Sequence, residues 1–480
     1  MGMRFQGSHG FKILTYKLWG KTMFKGITIS LVGTAFLWGC TNNQKTPVPA
    51  AQANTAGNQV VNQQLLQQAI GNQAAVPLPS AQAPAGQQAF QQGGINQQLL
   101  VQQLGGRGGN FHNVAVDLKN TQPLNIPLPP ADKNLIQLAL LLDTSNSMDG
   151  LIDQAKSQLW KIVNELAKAN KNGKDIRFEV ALFEYGNDNL KSSDGYIRKV
   201  QCLTSDLDQI SEDLFSLRTR GGSEYCGHVI SSAVNRLKWN PSPDALKMIY
   251  IAGNEPFTQG SVDYKDATMS AATKGLVANT IFCGDYEQGI QGMWKHGATL
   301  GKGDYFSINS DKKLQGIETP YDDELIKLST EMNQTYVAYG NRRAYYSGRQ
   351  SLQDTNALSI SKSISAGRAA SKGSKLYVNY NWDLVDAMDQ KNMDLTKVPK
   401  EDLPENLRDK SPEQLRAHLQ EKLEERKKIK KKIADLSKKR TLFIADKLKE
   451  MGEKGEETLD TVMIKSLRDQ AKARGFAFKE

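Results

Sequence analysis

Residues 133–310 predict an α/β domain, a mostly parallel sheet with helices on both faces, and the chain beyond it predicts an α-helical region. Three observations carry this reading. Leu135 to Leu142 is a continuous apolar run, the pattern of a strand buried on both faces. Strand-like and helix-like segments then alternate at lengths suited to parallel crossovers. From Ser411 the sequence turns helical: Ser411-Pro412-Glu413-Gln414 has the Ser-x-x-Gln pattern of a capping box, with Pro at the first helical position.

The elements follow in order. After the first strand, Leu151, Ala155, Leu159, Ile162 and Leu166 recur at helical spacing. Ile176, Phe178, Val180 and Leu182 alternate as a second strand, and "GYIRKVQCL" reads as a third, shorter one. A helix from about Asp206 leads to the Gly221-Gly222 loop, and another runs through Val234. Leu246 to Ala252 is a strand, Asp263 to Lys274 a helix stopped by Gly275, Leu276 to Cys283 a strand and Asp304 to Ile308 the last one. "TPYDDELIKLSTEMNQTYVAYG" predicts a helix and then a short strand docked on the domain. The expected divisions are 1–39, 40–132, 133–310, 311–395 and 396–480.

Asp143, Ser145 and Ser147 leave the carboxyl end of the first strand, where an open α/β sheet presents its ligand crevice. Carboxylate and hydroxyl oxygens are hard ligands, suited to Mg²⁺ or Mn²⁺ rather than zinc. The same residues have a plainer reading, in which Asp143 and Ser147 only cap the helix beginning near Asp149.

This Asp-x-Ser-x-Ser segment, followed by a Gly-Gly-Ser loop and a late strand, resembles the von Willebrand factor type A domain over about residues 133–309. The resemblance implies a metal-ion-dependent adhesion site. In that family two serines and a loop threonine hold the cation, two aspartates act mostly through water, and a partner carboxylate completes the shell. Ser223 stands in the threonine's place within "RTRGGSEYCGHVISSAV". The second aspartate's place, in "MIYIAGNEPFTQG", is occupied by Gly253, and Glu255 or Glu224 is left to supply the missing acid. "GNEPF", "FCGDYEQGIQGMW" and "GDYFSIN" look like a bacterial envelope branch of the family.

The N-terminus agrees with such a location. Lysines at 12, 17, 21 and 25 precede an apolar stretch from Gly26 to Gly39, suited to a signal-peptide core and short of the roughly 20 residues that span a bilayer. Leu37-Trp38-Gly39-Cys40 resembles a bacterial lipobox, which implies acylation of Cys40 and, with Thr41 rather than Asp following, the outer membrane. Between Thr46 and Gly106 there is no charged residue and no His, so this Gln/Asn/Pro/Ala-rich segment is expected to be a disordered tether reaching on the order of 50 Å. Outside the inner membrane Cys202, Cys226 and Cys283 would meet oxidising conditions, and three allow at most one intrachain bridge; Cys226 and Cys283 are the candidate pair, or equally all three are small buried apolar residues.

No Gly-x-Ser-x-Gly elbow and no phosphate-cradling Gly-x-x-x-x-Gly-Lys appears, and Cys226 and His228 lie two apart on a predicted helix, facing different ways. The reading is therefore a binding protein and not an enzyme, with an envelope or surface protein or polymer as partner, the membrane reached through the lipid anchor, and no nucleic acid. Leu415, Leu419, Leu423, Ile429, Ile433 and Leu436 form an apolar stripe, and Arg426 to Arg440 holds nine basic residues against the single acid Asp435. That charge reads first as the solvated face of a helical hairpin or coiled coil, and second as a surface for phosphates. The alternative function is a structural or assembly factor working through this tail, without a functional metal site.

Overall fold

The computed structural model describes residues 129–311, 316–391, 393–450 and 459–479. The signal segment, Cys40 and nearly all of the expected tether lie outside the described residues. A six-stranded sheet forms in the order β5-β4-β1-β6-β7-β8. Its strands are β1 (Leu135–Asp143), β4 (Arg177–Tyr185), β5 (Ile197–Thr204), β6 (Leu246–Gly253), β7 (Val277–Cys283) and β8 (Lys302–Ile308). All neighbours run parallel except β5, which is antiparallel to β4 at the edge. Central β1 is buried along its whole length, as its unbroken apolar run requires.

Each face of the sheet carries its own core. On one, Ile136, Leu138, Leu140 and Tyr250 meet helices α1 (Asp149–Leu166) and α2 (Leu207–Ser216). On the other, Ala139, Leu141, Phe183 and Ile251 meet α3 (Cys226–Arg236), α4 (Tyr264–Thr273) and Trp294, which follows the short α5 (Tyr286–Gln291) and opens α6 (Trp294–Leu300). Side chains at alternate positions of β1 thus go to opposite cores, the two-residue period of a strand. This is the doubly covered, mostly parallel sheet of the von Willebrand type A fold, with every expected strand and helix of residues 133–310 in its place.

Beyond the sheet come α7 (Asp322–Asn333), α8 (Arg343–Ile360), α9 (Lys362–Gly373), α10 (Leu384–Lys391), the 39-residue α11 (Pro412–Glu450) and α12 (Leu459–Ala473). The short strand expected near Tyr336 does not form; Ala338 makes one isolated bridge to Asp383. The reason is local: the Val337 amide donates to the Asp383 carboxylate at 2.7 Å, so a side chain takes the donor that a strand partner would need. Asp383 is itself held by Arg426 of α11 at 2.7 Å, and the same guanidinium reaches Asp386 at 2.6 Å.

The capping box forms as the sequence predicts: Gln414 N donates to Ser411 Oγ (3.3 Å) and Ser411 N to Gln414 Oε1 (2.9 Å). The helix it starts is neither half of a hairpin nor a coiled-coil strand. Leu415, Leu419 and Leu423 pack with Leu384 and Val385 of α10, while Ile429 and Ile433 pack with Leu325, Leu328 and Met332 of α7. The last helix returns to the sheet: Leu459, Val462, Met463 and Leu467 of α12 join the core beneath β1. The chain then ends in β9 (Phe476–Phe478), antiparallel to β2 (Ala169–Lys171), which in turn pairs with β3 (Lys174–Asp175). Residues 459–479 are thus part of the α/β body and not a separate basic region.

Candidate cation site at the strand ends

The register of the sheet builds the site. Asp143 ends β1 opposite Tyr185 of β4, and on its other side Leu142 pairs with Ala252, one residue before Gly253. The chain then leaves the sheet through a loop tied down by backbone bonds, Thr144 N to Tyr185 O (2.8 Å) and Asn146 N to Gly221 O (3.0 Å). The Gly-Gly loop is tied in return, through Arg220 N to Thr144 O (2.8 Å) and Gly221 N to Asn146 Oδ1 (3.2 Å). Gly221 has φ of +89°, and Asp188 packs where its Cβ would stand, so glycine is required there.

Three predicted residues come together. Asp143 is fully buried; its Oδ1 accepts from the Ser145 amide at 2.7 Å, and its Oδ2 is buried with no hydrogen-bond partner. The Ser145 and Ser147 hydroxyls lie 3.2 Å apart, and Ser147 Oγ accepts from Asn254 Nδ2 at 3.0 Å. These oxygens run from the buried carboxylate outward to an exposed serine. The capping role is not used: α1 is preceded by a 3₁₀ turn (Asn146–Met148), and its N-cap, Met148, makes no side-chain cap bond.

The two predicted substitutes for the missing acid part company. Glu224 is buried, with its side chain packed beside the Asp143 carboxyl at Gly186. Glu255 is exposed at the rim, accepting from Gln259 Nε2 at 3.2 Å. It is close enough for its charge to raise the pKa of both buried carboxyls. Half-buried Ser223 directly precedes Glu224, in the loop before α3.

Steric occupancy explains the glycine. A Cβ on Gly253 would run into the Tyr185 hydroxyl and approach Asp143 Oδ2 to 3.1 Å. The Tyr185 hydroxyl donates to Ala252 O at 2.9 Å, so it is held there. The second acid instead approaches Asp143 from the β4 side, past Gly186, whose φ is +79°. A Cβ at that glycine would meet Asp143 Oδ1 at 2.6 Å and Glu224 Cγ at 2.8 Å. Tyr185, Gly186 and Asn254 were not singled out from sequence; their signal is only that they end strands flanking β1.

Burial pushes the carboxyls of Asp143 and Glu224 above the ordinary range, Glu224 the further of the two because the neighbouring Asp143 carboxyl also disfavours its ionised form. Two neighbouring buried carboxyls titrate as a pair and not as independent groups. Among the described residues no three or more His, Cys, Asp or Glu side chains group to hold a metal. The donors available are two carboxyls, two serine hydroxyls and Asn254 Oδ1, itself buried without a partner. Such an all-oxygen set fits Mg²⁺ or Mn²⁺. Beside Asn254 opens a depression of about 460 Å³ lined by Pro256, Thr258, Phe282 and Met293, among others.

The remaining candidates resolve simply. Cys226 and Cys283 are both buried free thiols, so the candidate disulfide does not form. Cys226 lies 3.9 Å from the Tyr185 hydroxyl, while His228 turns to Ser261 Oγ at 3.3 Å. Among the described residues no helix is long and apolar enough to cross a membrane.

No family model matches the chain, and no curated protein does. Solved structures similar to it include an aerotolerance-related membrane protein from Bacteroides fragilis, with 18% identity, TM-score 0.26, and coverage of 37% of this chain and 93% of that one. Another is BatB from Bacteroides thetaiotaomicron, with 18% identity, TM-score 0.28, and coverage of 36% and 90%. A third is the pilus adhesin SpaC from Lactobacillus rhamnosus GG, with 16% identity, TM-score 0.28, and coverage of 37% and 28%.

Proposed function

We propose that this chain is a lipid-anchored envelope protein that binds a protein or surface polymer through a divalent cation. Its site departs from the usual metal-ion-dependent adhesion arrangement. In this reading Asp143, Ser145, Ser147 and Ser223 surround Mg²⁺ or Mn²⁺, Glu224 takes over from the missing second aspartate, and Glu255 guards the rim. The bound ion supplies an electrophilic seat for a carboxylate brought by the partner. The chain's own residues orient that seat and exclude water on its inner side, and the depression beside Asn254 receives the partner's neighbouring groups. Binding without turnover is part of the proposal, as is a location at the outer membrane.

One observation carries this reading. Asp143 Oδ2 is buried without a partner while a second buried carboxyl, Glu224, is pressed against the same residue. Burying acid without a counter-charge is costly, and a cation removes that cost where a shared proton removes only part of it.

The test is calorimetric titration of the chain with Mg²⁺ and with Mn²⁺, beside a variant carrying Ser145→Ala and Ser147→Ala. Envelope capture is run in parallel with and without a chelator. Cation uptake that the double variant loses, with capture abolished by chelator, is the expected result. Absence of uptake, or capture indifferent to chelator and variant alike, rejects the reading in favour of an assembly role for the helical tail.

A further inference from the structure

The basic segment of α11 has two faces with different fates. Its inward cations are consumed by the fold: Arg426 lies between Asp383 and Asp386, and Arg440 holds Asp322 at 2.8 Å. Lys427 is paired with Glu424 at 3.0 Å. Lys430 is half-buried on the inward side, and the five lysines that remain, Lys428, Lys431, Lys432, Lys438 and Lys439, are all exposed and without an ion pair among the described residues. At 3.6 residues per turn they occupy roughly a third of the circumference, opposite buried Ile429 and Ile433. Asp435 is the acid within that run, leaving a clear positive excess.

An apolar residue sits in the same stripe. Leu442 is 67% exposed and follows Lys438 and Lys439 by one turn, while its neighbour Phe443 turns inward against Tyr321. Exposed leucine among unpaired lysines is the pattern of a helix lying flat on a charged lipid surface, with leucine entering the headgroup region and lysines reaching phosphates. Polyanion binding alone has no use for the leucine. The N-terminal lipobox points to the same surface, because an acylated Cys40 would keep the chain beside a membrane.

We infer that this outward face of α11 docks on anionic lipid headgroups of a membrane, forming a second contact independent of the acyl anchor and of the cation site. A single acyl chain holds a protein only reversibly, and a basic patch is the ordinary second signal.

The experiment uses the full chain with Cys40→Ser, so that no acyl group contributes, in vesicle co-sedimentation with chelator present. Vesicles of neutral phosphatidylcholine are compared with vesicles containing anionic phosphatidylglycerol. The N-terminal stretch and its own lysines contribute equally in every variant; the reading is the change that the α11 substitutions make in the preference for anionic vesicles. Preference for anionic vesicles is expected, falling by about fivefold for each lysine neutralised among Lys431→Gln, Lys432→Gln, Lys438→Gln and Lys439→Gln, and falling as salt rises. Leu442→Ser is expected to weaken vesicle binding without affecting retention on a polyphosphate column. These side chains are exposed, so an unchanged melting temperature verifies folding of each variant. Equal binding to both vesicles, a preference untouched by the four substitutions, or retention on polyphosphate with no vesicle binding would each overturn the inference.

Discussion

Tyr185 and Gly253 share one space: the tyrosine hydroxyl, anchored on Ala252 O at 2.9 Å, stands where any side chain at 253 would begin. The second carboxyl beside Asp143 is instead that of Glu224, which reaches it past Gly186. Placing an aspartate at position 253 is expected to fail. Gly253→Asp should cost about 1–3 kcal/mol through overpacking. Adding Tyr185→Phe should recover part of that loss, less about 1 kcal/mol for the hydrogen bond it deletes. Urea midpoints of the two single variants and the double variant decide the matter; additive losses would show that the residues do not compete.

Glu224→Gln keeps shape and hydrogen-bonding capacity but removes an acid. If Glu224 stands in for the missing aspartate, cation affinity should fall on the order of 10–100-fold. Glu255→Gln, at the exposed rim, should change it far less. Calorimetry reads both, and the reverse order would return the role to Glu255.

Asp213, on α2, gives a pH signature away from the site. Burial pushes its carboxyl up to about 6, and its Oδ2 is buried without a partner. A carboxyl raised in the folded state stabilises the fold least when ionised, so its penalty is absent below about pH 4 and complete above about pH 6. Asp213→Asn should therefore raise stability at pH 8, by at most about 2 kcal/mol after solvent screening, and leave it unchanged at pH 3.5. Thermal denaturation at the two pH values checks the sign.

Arg426 is the pin of the helical extension. It bonds Asp383, Asp386 and the Thr335 backbone carbonyl, and is itself almost fully buried. Arg426→Met strands two buried carboxylates, an expected loss of about 3–5 kcal/mol. Limited proteolysis should then cut within residues 393–411, which the wild-type packing protects.

Removing the chain from Leu459 onward should unfold the α/β body itself. Four apolar residues of α12 lie in the core beneath β1, and β9 completes a small sheet with β2. An insoluble or molten product by circular dichroism is expected, whereas a well-folded truncation would show the helix to be an accessory.

Much of this protein is local and was legible from its residues. β1 is a run of apolar side chains, α11 begins at a capping box complete within four residues, and the Asp143-Ser145-Ser147 spacing places three oxygens at one strand end because side chains leave a strand and its following turn in a fixed pattern. What tertiary structure decided depends on strand register and on contacts distant in sequence. Glu224 rather than Glu255 meets Asp143, and Tyr185 closes the space at Gly253. Asp383 claims the Val337 amide that a strand would have used, and α12 comes back under the sheet. None of these follows from periodicity, because a side chain's partner across a sheet is set by which strands pair and in what register. The same distinction divides the lysines of α11: their number is written in the sequence, but which of them remain unpaired was settled only when Arg426 and Arg440 turned inward.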